Sequence, residues 1–478
     1  MEFAANESQS GDRRASPGDL SAELPAERAG NLDRPASTAA DSLAPPLPSK
    51  PKVVTRLEPF GLVTANAGDH KLVHALLRAV FQAPSFEDFI TWLDDPTYEP
   101  LDRLLLKQEG RIVAHVQVLD RLAWFCGIKL PVGGVQDLVS LPEYREAGYE
   151  RRLLAAAEQT LRDRQAVVAF ARTERPELFR AAGWSTVLDE RSTEANVSDI
   201  LAHFASRGGK GRRRSRGLRI RLWRHVELDA LRPVYCHAAQ CAWGAIDRSE
   251  SYWRWLVGRK AHDELIVAVH GRDDWEELDR PANIVGYAVT RGSHVVELCC
   301  RAGFAHAGPR LLARACRDAI EQDHRTMVLR LPTTNPLHRL MLASGGHWCN
   351  DNRAHGGTLL VKLLDPPRWI ESMYPLLLAR AKAAGIARPY HVAFHNGQTA
   401  ARLDLTRRSG RLSENTDDAA DVHCSPDTLA ALLVGNLDVG PARDAGELKI
   451  CDDATAARLA ALFPAETFWQ SPFDSLRL

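Results

Sequence analysis

Residues 135–154, VQDLVSLPEYREAGYERRLL, decide how the chain is read. Apolar Val135, Leu138, Val139 and Leu141 stop at Pro142, and a polar turn, Glu143–Gly148, follows. Arg151–Arg162 then places apolar and alanine residues at helical spacing. Strand, tight turn and helix is the physical reading, because the apolar period changes across a proline and a glycine. Successive backbone N–H groups in such a turn, with a helix N-terminus behind them, can cradle an anion. The same pattern also suits a plain connection, since the cradle uses backbone rather than particular side chains.

Around this stretch, the chain of 478 residues is long enough for two to four domains. Apolar content of 45% and charged content of 26% describe a soluble globular protein. With 61 basic and 61 acidic residues, no net charge draws it to nucleic acid or membrane. No apolar run approaches the roughly 18 residues of a spanning helix. The opening MEFAANESQSGDRR has no apolar core of a secretion signal. Nine cysteines without C-x-x-C pairs suit reduced thiols, so a cytoplasmic location is expected.

Residues 1–52, rich in Pro, Ala, Ser and charge, read as a disordered tail. From 53 to 205 the pattern predicts helices over Leu72–Phe81 and Phe86–Leu93, strands over Arg103–Lys107 and Ile112–Leu119, a further strand pair around Phe125–Pro131, and the opening stretch. A strand Ala166–Ala171 and a short helix Glu174–Ala182 ending at Gly183 come next. Arg207–Arg224 crowds nine basic residues without an acid. Within it, 206–217 reads as a solvated basic linker rather than a nucleic-acid surface, because aromatic residues are nearly missing. The order of elements then returns over 218–365, with a helix Leu228–Trp243, which suggests a duplicated domain. After Asp365-Pro366-Pro367, residues 366–478 read as a small α+β domain.

This organisation resembles acetyltransferases of the GNAT superfamily, and more narrowly the Eis (enhanced intracellular survival) type. The resemblance rests on Leu138–Leu154, on NPLHRLMLASGG at 335–346, on LAALLVG at 429–435 and on GELKICDDATAARLAALFP at 446–464. It implies a mixed α-β fold: two tandem GNAT-like domains, each a mostly antiparallel sheet flanked by helices, and a C-terminal domain like sterol carrier protein. It also implies acetyl-CoA as cosubstrate and transfer of its acetyl group to a primary amine of a small molecule or lysine. A homo-oligomer, a hexamer in that family, is implied too, with no membrane partner.

Carried over by resemblance, Leu138, Val139 and Ser140 would contact the pantetheine arm. Glu146, Ala147, Gly148, Tyr149, Glu150 and Arg151, behind Arg145, would cradle the pyrophosphate. Glu150 stands where the superfamily has a small residue. Its charge would repel phosphate unless it turns outward or pairs with Arg151 or Arg152. The turn at 301–306, with Pro309 lacking an N–H, is expected to hold no cofactor. For chemistry, the family uses a tyrosine acid and the terminal carboxylate. Phe179 stands at the tyrosine's place and cannot donate a proton. The terminal carboxylate of Leu478 and the Asp137 side chain are the candidate bases, with Asp474 as a substitute. The alternative is a ligand-binding descendant that has lost its acid. No metal is expected: His391, His395, His423 and Cys424 lack zinc spacing.

Overall fold

The computed structural model describes residues 60–207, 217–271, 280–350, 357–395, 400–414 and 420–475. The expected tail, most of the basic linker and Leu478 lie outside these residues.

Two strands longer than expected dominate the first half, β3 (Arg111–Phe125) and β4 (Ile128–Ser140). They meet at a two-residue turn in which Cys126 and Gly127 both have positive φ (47° and 88°), the twist that suits a tight hairpin. Earlier strands are β1 (Phe60–Thr64) and β2 (Arg103–Gln108); later ones are β5 (Val168–Thr173) and β6 (Ser185–Thr186). Then follow β7 (Ser192–Asn196), β8 (Leu218–Leu222), β9 (Trp243–Ile246), β10 (Glu264–His270), β11 (Ile284–Arg291), β12 (His294–Cys300), β13 (Thr326–Leu329), β14 (His347–Cys349) and β15 (Thr358–Leu363). A last group comprises β16 (Tyr390–His395), β17 (Ala400–Leu405), β18 (Gly410–Glu414), β19 (Val422–His423) and β20 (Lys449–Ile450).

The first sheet runs β1-β2-β3-β4-β5-β15-β6, with β9 also on β3; the second runs β14-β7-β13-β12-β11-β10-β8; the third runs β18-β17-β16-β19-β20. Sheet membership therefore crosses the linear segments: β7 joins the second sheet and β15 returns to the first. Leu359, Leu360 and Val361 of β15 are all buried, so the strand needs cover on both faces and lies inside the sheet between β5 and β6. The helix expected over Leu228–Trp243 stops at Gln240. Gly244 has φ +91°, which no helix continues, and Trp243–Ile246 instead pairs with β3.

The helix Tyr149–Asp163 buries Leu153, Leu154, Ala157 and Leu161 against β3 and β4. Leu161 sits so close to Gly133 that a Cβ there would meet it at 2.3 Å, so this contact requires glycine. One apolar cluster joins Val168 and Phe170 of β5 to Trp369, Phe394 and Leu432 of the last segment. From there the chain returns: Phe468 bridges Trp243, and Pro472–Asp474 forms a turn of 3-10 helix against β12.

Candidate functional site

Parallel pairing of β4 with β5 extends only from Val132↔Val168 to Val135↔Ala171. Beyond it β5 continues along β15, while β4 bulges: His115 faces Val139 and Gln117 faces Gln136, so Val116 opposes both Asp137 and Leu138. Asp137 takes φ +55°, a conformation Asp tolerates better than most residues. The parting of the strands opens into a cleft of about 890 Å³. Its walls include Leu138, Ser140 and Phe179 from the first half, Tyr252 and Arg259 from the second, and Gln470–Pro472 from the tail.

The bulge is held from beneath. His115, fully buried, places Nδ1 2.9 Å from the Asp137 carbonyl and Nε2 3.0 Å from Arg103 Nη1. A guanidinium only donates, so Nε2 accepts and Nδ1–H donates to the carbonyl, which fixes a neutral tautomer. Arg103 also donates to the Tyr98 hydroxyl at 3.1 Å and stacks on Phe89 at 5.2 Å. Sequence reading did not single out Arg103 or His115. Their signal was a histidine set inside an apolar strand run and an arginine opening the run beside it.

The turn after β4 is a 3-10 segment, Pro142–Ala147, and Gly148 at φ +73° leads into the helix Tyr149–Asp163. Glu150 does not turn outward and does not pair with Arg151 or Arg152. It is 7% exposed and points inward, accepting from Ser140 N at 3.0 Å and Ser140 Oγ at 2.9 Å, with Arg175 Nη2 at 2.7 Å. The reason is geometric: the first turn of the helix faces the last residue of β4, and the nearest guanidinium comes from the loop after β5. The ion pair neutralises the carboxylate and keeps it off the outer face of the turn, but it occupies one backbone donor at the end of β4.

Of the residues named for the cofactor and as bases, Asp137, Leu138, Ser140, Arg145, Glu150 and Asp474 line the cleft. Val139, 1% exposed, packs with Val73 and Leu141 on the other side of the sheet. Glu146, Ala147, Gly148, Tyr149 and Arg151 are not among the cleft-lining residues; Tyr149 stacks on Tyr144 at 5.8 Å. Phe179 reaches the cleft with its ring edge-on to Trp184 at 5.3 Å. Leu478 lies outside the described residues. Asp474 is held by Arg248, from Nε at 2.8 Å and Nη2 at 2.9 Å, so each of its oxygens is engaged by the guanidinium.

Arg248 is the centre of the second half. It donates to Glu297 as well, at 2.9 and 2.5 Å, and lies 3.8 Å over the Tyr235 ring. Tyr287 donates to Glu297 at 2.6 Å. Burial pushes the Asp474 carboxyl above its ordinary range, against the pull of Arg248. Burial likewise raises the Tyr252 phenol, which stays protonated.

Comparison with known proteins agrees with this architecture. Residues 63–187 match the family model of the acetyltransferase (GNAT) domain, and residues 387–471 match the sterol carrier protein domain. A search of curated proteins returned no significant match. Among solved structures, a GCN5-related N-acetyltransferase from Kribbella flavida is 18% identical, with 86% of this chain and 97% of that one covered and a TM-score of 0.63. A GCN5-related N-acetyltransferase from Anabaena variabilis is 13% identical over 86% and 98% at TM-score 0.63. Eis1 from Mycobacterium abscessus is 15% identical over 86% and 99% at TM-score 0.58. The chain thus carries a GNAT acetyltransferase domain and a sterol carrier protein domain, on a fold it shares with Eis1.

Proposed function

We propose that the cleft of the first sheet binds acetyl-CoA and that the protein transfers the acetyl group to a primary amine. The parting of β4 from β5 after Val135 and Ala171 carries this reading, because it leaves the β4 backbone from Gln136 to Ser140 unpaired with β5. The groups of that stretch other than the Asp137 carbonyl, held by His115, and the Ser140 N–H, held by Glu150, would hydrogen-bond the pantetheine arm, and Arg145 with the turn before the helix would hold the phosphates. Acetyl-CoA would supply the activated acyl carbon. Asp88, Asp137, Glu150, Glu174 and Asp474 line the cleft; of these Asp137 lies on the bulge where β4 parts from β5, and it is the carboxylate that would take the amine proton. Phe179 offers no hydroxyl, so the departing thiolate takes its proton from water. A thiol pKa near ~8.5 makes that route feasible at neutral pH. The bulge, fixed by His115 and Arg103, positions Asp137 and the strand end together.

A second reading, a ligand-binding protein without turnover, is favoured by Phe179 and by the Ser140 donors that Glu150 already occupies. Calorimetric titration of the full chain with acetyl-CoA separates the cases. The proposal expects saturable binding near one per chain, followed by free thiol when primary amines are added. No heat of binding would overturn both the acetyl-CoA site and the enzyme. Binding without thiol release across an amine panel, unchanged in Phe179→Tyr, leaves the second reading standing.

A further inference from the structure

On the far edge of the second sheet, β14 pairs antiparallel with β7, His347 opposite Glu194 and Cys349 opposite Ser192. Residues i and i+2 of a strand share a face, and so does the residue directly across. His347, Cys349 and Glu194 therefore project together. Trp348 takes the opposite face, where its ring meets His338 at 4.9 Å and Arg191 at 4.6 Å, with Thr193 Oγ1 2.9 Å from His338 Nδ1. That packing fixes which way the strand faces. The imidazole, thiol and carboxylate ligand atoms lie within 4.8 Å of one another, and Cys349 Sγ is 3.8 Å from Glu194 Oε2.

We propose that Glu194, His347 and Cys349 bind a borderline-soft divalent cation, zinc in preference to magnesium or calcium. One nitrogen, one sulfur and one oxygen make a zinc-type donor set, whereas hard cations require six or more oxygens. Tetrahedral zinc bonds of roughly 2.0–2.3 Å need ligand atoms about 3.5 Å apart, a distance reached here by small side-chain rotations. Binding converts the Cys349 thiol to a metal-bound thiolate and releases one proton to solvent; the fourth position takes water. The ion would clasp the three-residue edge strand β14 to β7. The site lies on a different sheet from the acetyl-CoA cleft and does not depend on it.

The test uses the full chain, reduced and stripped by chelator, titrated with cobalt(II). A thiolate-to-cobalt absorption band should appear together with tetrahedral d–d bands, and equimolar zinc should erase both. Cys126, Cys241 and Cys451 are exposed thiols elsewhere, so the band must vanish in Cys349→Ser to be assigned here. Glu194→Gln should keep the fold by circular dichroism and weaken cobalt affinity at least tenfold. No band in the wild type, or a band intact in Cys349→Ser, overturns the proposal. Unchanged affinity in a folded Glu194→Gln overturns the three-ligand site.

Discussion

In the first sheet β4 parts from β5 after Val135, and the space beyond is the large cleft. In the second sheet β12 pairs with β13 only at His294 and Val295, so the strands part there too. Here the chain's own segment Ser471–Asp474 packs against β12 and beside Arg330–Thr333. Phe473 is fully buried, Ser471 hydrogen-bonds Glu297, and Arg248 ties Glu297 to Asp474. One divergence stays open as a cleft, and the other is closed by the chain's own tail segment. The second half also lacks an N–H at Pro309 near the start of its helix Ala307–Glu321, a poorer cradle than the helix after Gly148. A gap between parting parallel strands can therefore be filled by the chain's own tail instead of standing open.

The largest effect is expected from opening the closed side. Arg248→Met would leave Glu297 and Asp474 buried without a counter-ion, a loss of about 3–5 kcal/mol. Thermal unfolding should show a clear fall in Tm. A Tm within a degree of wild type would mean that the tail does not close the second divergence.

A smaller change is expected on the open side. Glu150→Gln keeps an acceptor for Ser140 while removing a charge beside the turn and freeing Arg175 for phosphate. Acetyl-CoA should bind about threefold to tenfold more tightly, worth roughly 1 kcal/mol, by calorimetry. Weaker binding would show that the Glu150–Arg175 pair builds the cradle instead of competing with it.

The smallest contrast concerns an acid facing each turn helix. Glu150 is neutralised by Arg175, whereas Glu264 faces Asp318, and burial together with that neighbour raises its carboxyl to about 7. A raised carboxyl is protonated in the folded chain and ionised in the unfolded one between the two pKa values. Its stabilisation is complete below about pH 4.5 and is lost as pH rises through about 7. Because Glu264 is partly exposed, the loss should be about 1 kcal/mol or less. Glu264→Gln should flatten that part of a stability-versus-pH curve measured by urea unfolding, and an equally steep curve would refute the assignment.

Much of the architecture could be read from local pattern. The period change around Pro142 and Gly148 marked strand, turn and helix, and the returning order of elements marked a second sheet. Phe179 and Glu150 were visible as departures from the resembled family. The direction of Glu150 was not, because Arg175 lies 25 residues away and meets it only when β5 runs beside β4. Strand exchange was equally hidden: β7 and β15 each join a sheet formed mainly by the other segment, and nothing in their own residues names their neighbours.

By itself, the sequence determined the elements and the strand, turn and helix of residues 135–154, since proline, glycine and apolar period act over a few residues. Tertiary structure alone decided which turn opens onto a cleft. It set the Asp137 bulge through His115 and Arg103, sent the tail into the second sheet through Arg248, and gathered Glu194 with His347 and Cys349. Each of these joins groups far apart along the chain, and only the burial of polar and charged side chains against specific partners fixes such meetings. The stretch from Val135 to Leu154 supplied the turn, and the rest of the molecule determined that it stayed open.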